Sequence, residues 1–372
     1  MANRQVWQDL YAVSTTTSAL ALAVTADPGF NATANKGIRG TGSTAKGVFT
    51  MLLTEHPDLK APTSTVENAL THGKPIRKTI EYNQVIAQAA IATLPMLANA
   101  YNLSLFLSLL FQPDDANNGA SEVVGTTNAT LHVLTCKPYD QSDVTLTTYI
   151  VKVMSDTSET LDQVMKGSIC NQLTVNAEEG GLVTLSAEMI AAKWDQYDAS
   201  AALTVLKSTF DDTTPLKWQD ATVKIAGQTV DSKGFSMVLN NNVYFSFYNN
   251  NVVKNIFLGP LTATGTIRIP WSDASSEGKN KQLIDFISGI DKTISIYWGA
   301  AVGADTLTPK GGGTDTKNYF SIQMNIILTD YSITGDNEVM IEANWAAVQD
   351  ATDTSATITI NCGYDKAELD RI

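Results

Sequence analysis

Residues 171–188 read Asn171-Gln-Leu-Thr-Val-Asn-Ala-Glu-Glu-Gly-Gly-Leu-Val-Thr-Leu-Ser-Ala-Glu. This is a strand, a Gly-Gly turn and a Thr/Ser-rich strand: glycine frees the backbone at the turn, while Val, Leu and Thr favour the extended state on either side. The second strand runs on to Trp194. Near the other end of the chain, Gly335-Asp-Asn-Glu-Val-Met-Ile-Glu-Ala-Asn-Trp-Ala-Ala347 follows the same plan, a glycine turn leading into a strand. Two closing segments of one kind predict two similar halves.

What precedes each closing segment agrees with this. Asn102-Leu-Ser-Leu-Phe-Leu-Ser-Leu-Leu-Phe-Gln-Pro113 is a helix that Asn102 can cap and Pro113 stops, with Leu103, Phe106, Leu107 and Leu110 on one face. A second helix is expected from near Gly278, where Leu283, Phe286, Ile287 and Ile290 keep the same spacing. Strand-like segments flank both. After the first come residues 129–136, 144–154 and 168–175; before the second lie 235–240, 243–248 and 262–271, and after it 293–298 and 319–331. The order is strands, helix, strands, twice.

The expected organisation is an N-terminal arm over 1–75 with short elements, a first domain over 76–205, a linker over 206–217 that holds Asp211-Asp-Thr-Thr-Pro215, a second domain over 218–350 and an extension over 351–372. Ile76, Ile80 and Tyr82 alternate as strand material at the start of the first domain. At 372 residues, two domains with separate cores are the first expectation.

Composition narrows the function. Charged residues make up 17%, below the roughly 25% of ordinary globular chains. Thr, Asn, Ser and Ala fill the gap, which suggests surface destined to meet other protein. A net charge of −13 and a pI near 4.6 argue against a nucleic-acid gripper, since such binding depends on Lys and Arg neutralising phosphates. Cys136, Cys170 and Cys362 are far apart and odd in number, fitting reduced thiols. The start, MANRQVWQDLYAV, lacks the pattern of a signal peptide, and no apolar run is long enough for a membrane helix.

The residues of catalysis do not cluster. His56, His72 and His132 sit in unrelated contexts without zinc spacing. Gly40 to Gly47 falls short of a phosphate loop, with Ala45 ahead of Lys46 and glycine where the magnesium hydroxyl belongs. Lys310-Gly-Gly-Gly-Thr314 places its lysine before the glycines and reads as a loop tip. The pairs Asp114-Asp115, Glu178-Glu179 and Asp211-Asp212 lack the alternate acidic positions of a calcium loop. No cofactor and no enzymatic activity are expected.

The second half, through Asp220-Ala-Thr-Val-Lys-Ile-Ala-Gly227, Phe235-Ser-Met-Val-Leu-Asn-Asn, Val243-Tyr-Phe-Ser-Phe and Leu261-Thr-Ala-Thr-Gly-Thr-Ile-Arg-Ile, resembles the phage tail tube protein family. The strand, Gly-Gly turn and strand of 171–188 fit the same pattern. The resemblance implies a β-sandwich with a short flanking helix in each of two tandem tube domains, whose long strands join those of neighbouring copies into a closed barrel. It implies a structural virion protein that stacks in rings as the conduit for DNA ejection. Its partners would be copies of itself, the tape measure protein and other tail proteins. The tail is its expected location, after assembly in the host cytoplasm.

Two domains per chain predict rings of three copies with pseudo-sixfold symmetry, six chains being the alternative. The expected lumen face is Ser321, Gln323 and Asn325, opposite Phe320, Ile322, Met324 and Ile326. The expected inter-ring loop is the tip from Ala301 to Asn318, with Asp305, Pro309, Gly311, Gly312, Gly313 and Asp315. DNA is expected to pass without adhering. Alternatives are a baseplate, tail-terminator or capsid subunit, or a carbohydrate-binding sandwich. Against the last, Trp271, Trp298 and Trp345 sit in or beside apolar strands where core packing explains them.

Overall fold

The computed structural model describes residues 10–17, 47–51, 90–99, 121–123, 130–135, 146–153, 162–197, 215–246, 255–257, 259–270, 292–298, 300–302, 306–308, 319–334, 339–348 and 358–364, with single positions between 53 and 59 and between 102 and 110. The first part of the chain supplies β1 (Leu10–Thr17), β2 (Gly47–Met51), β3 (Ala90–Leu97), β4 (Ser121–Val123), β5 (Thr130–Thr135), β6 (Leu146–Val153), β7 (Asp162–Glu178) and β8 (Thr184–Tyr197). The remainder supplies β9 (Ala221–Ile225), β10 (Gln228–Val230), β11 (Gly234–Asn240), β12 (Tyr244–Ser246), β13 (Asn255–Phe257), β14 (Thr262–Pro270), β15 (Lys292–Trp298), β16 (Ala300–Val302), β17 (Thr306–Thr308), β18 (Tyr319–Thr334), β19 (Met340–Ala347) and β20 (Ile358–Tyr364). The protein is mainly β. All the pairings between these strands are antiparallel.

Two runs of strands share one topology. The first half pairs in the order β2-β1-β6-β7-β8-β3, and the second in the order β10-β9-β15-β18-β19-β14. Strands in the same rank of each order follow one another in the same sequence along the chain. β11 joins the two runs, pairing with β7 on one side and β14 on the other. The expected arm thus contributes β1 and β2 to the sheet, and the expected extension contributes β20, which pairs with β18 and β5.

The long strands β7 and β18 hold the architecture together. Each keeps one neighbour across a bulge and changes the others: β7 keeps β8 while β6 gives way to β11, and β18 keeps β19 while β15 and β20 pair only before the bulge. In β7 the register shifts between Cys170 and Gln172, in β18 between Leu328 and Asp330. An extra residue bends a strand and raises its twist, so a long strand can leave one sheet and enter another there. At the β7 bulge, the Asn171 carbonyl accepts from Asn241 N–H at 2.8 Å and its side-chain oxygen accepts from Val243 N–H at 2.8 Å. The buried Asn241 amide in turn donates to the carbonyls of Leu110, at 2.8 Å, and Cys170, at 3.2 Å.

The apolar faces close on one continuous core. Leu173, Val175, Leu185 and Ala187 from the first half lie in the same cluster as Met237, Leu239, Ile267, Ile341 and Trp345 from the second. Separate cores are not found among the described residues, because the β7–β11 pairing places the buried faces of both halves side by side. Trp298, Trp218, Phe235 and Trp345 form a run of ring contacts 5.8 to 6.4 Å between centroids. Trp298 and Trp345 are therefore core residues, as their strand positions predict.

The first predicted helix is present at its described positions: Asn102, Leu103, Phe106, Leu107 and Leu110 are helical, and the four apolar residues are fully buried. Its cap differs from expectation. Asn99 accepts from Asn102 N–H at 2.7 Å, and the Asn102 side chain accepts from Asn99 N–H at 2.8 Å. This reciprocal pair is a capping box with Asn99 as the cap, because the Asn99 carbonyl already accepts the first helical bond, from Leu103 N–H. Asn99→Ala should lower stability by about 1–2 kcal/mol in urea titration, since the cap is buried and no water can replace it. The second predicted helix, at 278–290, lies outside the described residues, as do Ile76, Ile80, Tyr82 and Trp271.

Candidate functional surface

The residues chosen from sequence as a lumen face lie on the first half of β18. Ile322, Met324 and Ile326 are buried in the core, as alternation requires. On the other face Gln323 is exposed and Asn325 half-buried, but Ser321 is only 4% exposed. Neighbouring strands extend this face through Thr293, Ser295 and Tyr297 on β15 and Thr222 and Lys224 on β9. Thr293 donates to the Asn325 side chain at 2.8 Å, and the Lys224 ammonium sits 5.3 Å from the centre of the Tyr297 ring. The patch is mixed: polar, partly covered and carrying a cation.

A second polar face is much wider. After the bulges, β3, β8, β7, β11, β14, β19 and the end of β18 follow one another as a continuous sheet. One face is the core. The opposite face carries rows of short polar side chains in register across the strands. One row runs Thr184, Asn176, Ser236, Thr266, Asn344, Asp330; another runs Ser186, Thr174, Val238, Thr264, Ala346. Ser236 and Thr266 hydroxyls are bonded at 2.8 Å, and Gln172 donates to Thr174 at 3.3 Å.

The charge on this face is sparse and mostly negative. Its described residues include Glu178, Glu188, Asp330 and Glu342, against Arg268 and no lysine. Arg268 is spent on Glu342, 3.4 Å away. Behind the wall, burial and then the charge of Glu188 push the Cys170 thiol far above its ordinary range, so it stays protonated.

Sequence reading missed this surface because no single segment displays it. Each strand offers two or three hydroxyl or amide side chains at alternate positions, and only the register between distant segments lines them up. The predicted loop residues Asp305, Pro309, Gly311, Gly312, Gly313 and Asp315 lie outside the described residues, although β16 and β17 pair as a hairpin beside them. Among the described residues no group of His, Cys, Asp or Glu could hold a metal, and no helix is long and apolar enough to cross a membrane.

No individual curated protein matches the sequence. The family model described as phage tail tube protein matches residues 15–347, a span that takes in both runs of strands, apart from the first five residues of β1, and the whole polar face. The chain therefore belongs to the phage tail tube protein family, structural subunits of the virion tail that associate with one another and with other tail proteins.

Proposed function

We propose that this protein assembles into stacked rings of three copies with pseudo-sixfold symmetry, and that its wide polar face lines the channel through which DNA leaves the virion. The observation that carries this reading is the polar face itself: six strands in register, rich in Thr, Ser, Asn and Gln, with carboxylates in excess and no lysine among the described residues. Such a wall offers phosphates only Arg268, already paired with Glu342, to exchange for their counterions. The shared topology of the two halves supports a tandem duplication, in which each copy supplies two equivalent wedges.

Seven described strands from each of three copies would make a barrel of at least 21. With strands about 4.8 Å apart and tilted about 40°, it would be roughly 40 Å or more across. The protein works through this surface and carries out no chemistry. Native mass spectrometry and cryo-EM of the purified protein test the reading. Rings of three copies with a central hole are expected; rings of six full-length copies would sink the duplication, and compact particles without a hole would sink the channel.

The hairpin tip beyond β16 and β17 is proposed as the contact between stacked rings. Deleting residues 308–316 should leave soluble rings that no longer lengthen into tubes, as seen by negative-stain microscopy. Unaltered tube growth would assign the contact elsewhere.

A further inference from the structure

Within the chain, the joint between halves is a strand addition. After the β7 bulge, Gln172–Glu178 has its outer edge covered by β11, and Leu173 and Val175 are 0% and 1% exposed against Leu239 and Met237. β18 repeats this arrangement around its own bulge. Tyr331 pairs with Ala343 and Ile333 with Ile341, as Leu173 pairs with Ala187 and Val175 with Leu185. The inner partners are buried in both halves. Yet Tyr331 is 44% and Ile333 57% exposed.

What differs is the outer neighbour. The Thr293 carbonyl accepts from the N–H of Ala226, the residue after β9, so its cross-strand partner Asn325 directs its own backbone groups away from β15. The Asn325 carbonyl accepts from Val348 N–H, next to β19. β15 and β19 thus flank β18 on opposite sides. Pairing with β15 stops at Ile326, and beyond it no described strand covers that side of β18. By the alternation of the ladder, Tyr331 and Ile333 aim their backbone groups at this open edge. The Tyr331 N–H is held by the Asp330 carboxylate at 2.8 Å, not by β19.

A complementary edge lies on the same chain. β3 occupies in the first half the place that β14 occupies in the second, and β14 has β11 on its outer side. Among the described residues, the outer side of β3 is met only at its end, where Leu53 bridges Met96 and Thr54 N–H donates to the Pro95 carbonyl. Among the described residues one chain therefore presents two unlike open edges, the arrangement that closes copies head to tail into a ring.

We propose that the outer edge of β18 over residues 330–334 is the joint between copies. A strand from the first half of a second copy adds to it as β11 adds to β7, covering Tyr331 and Ile333 and displacing Asp330 from the Tyr331 amide. This rests on the tube-forming reading above and names the surface that reading requires.

The test compares wild type with Ile333→Pro and with the double change Tyr331→Lys and Ile333→Lys. Proline removes an N–H that faces outward, so the β18–β19 ladder survives. Both variants should stay folded by circular dichroism and run as single copies by light scattering under conditions where wild type forms rings. Hydrogen exchange of the wild type should show at least about tenfold slowing over 330–334 on assembly. Variants that form rings like wild type, or wild-type rings in which 330–334 exchange as in the single copy, overturn the joint while leaving the tube reading intact. A wild type that never forms rings overturns both. Should the variants not fold, the exchange experiment decides alone.

Discussion

Replacing Gly265 with valine should yield insoluble protein with no measurable folded state. Gly265 faces Met237 on β11 and Trp345 on β19 in the middle of the wide sheet. A Cβ there would overlap the Ser236 carbonyl oxygen and the edge of the Trp345 indole at once. Trp345 is held in turn, being 1% exposed and stacked on Phe235 at 5.8 Å. A flexible side chain could swing away from such a collision, but a backbone carbonyl inside a ladder cannot. The cost should be about 4 kcal/mol or more, a large part of the 5–15 kcal/mol that holds most domains folded. Gly265→Ala should show the same defect in milder form, as a large drop in thermal midpoint. Shrinking Trp345 to leucine should not rescue it, because the Ser236 oxygen remains. The neighbouring Thr264→Val, on the exposed face, should change stability by about 0.5 kcal/mol or less. A soluble valine variant with a wild-type melting curve would show that the strands can part at this point.

The second large effect concerns passage of DNA. Changing Thr264 and Asn344 to lysine places two cations on the wide polar face at positions where side chains are exposed. Neither change touches the core, so folding and tube formation should persist. Ejection should not. Each ring of three would carry six new cations, and every stacked ring would repeat them along the DNA path. Infectivity should fall on the order of a hundredfold or more, and in vitro ejection should recover as salt rises, because counterion release is the source of the attraction. Salt rescue separates this from a folding defect, which salt would not selectively repair. Gln323→Lys is the matching test of the face on the first half of β18; Ser321 is too buried there to serve. Free passage with lysines on the wide face, together with a block from Gln323→Lys, would move the wall to β9, β15 and β18.

The strands were legible where their pattern is local. Residues 235–240, 262–271 and 293–298 alternate apolar and polar side chains, and β11, β14 and β15 lie within a residue or two of those bounds. The helix stripe from Leu103 to Leu110 was equally plain, since four apolar residues at helical spacing have few other uses. Its cap was not, because Asn99 and Asn102 are the same residue type at the two ends of one reciprocal bond. Pairing between distant segments was hidden altogether. Nothing in Gly234–Asn240 says that it will lie against Gln172–Glu178, yet that register builds both the joint between halves and most of the polar wall. Ser321 shows the converse limit: alternation assigns a side chain to a face, and the cover over that face is set by chain elsewhere.

The two bulged strands also govern how the molecule comes apart. β7 cannot leave β8 and β11 without also leaving β6, and β18 ties β15 and β20 to β19 in the same way. Fraying that begins in one sheet therefore loosens the next. Unfolding should be a single cooperative transition in calorimetry, with both halves lost together despite a length at which chains often melt in stages. For a subunit proposed to line a channel through which a genome runs, this means that the described strands offer no weak seam along which it can partly open.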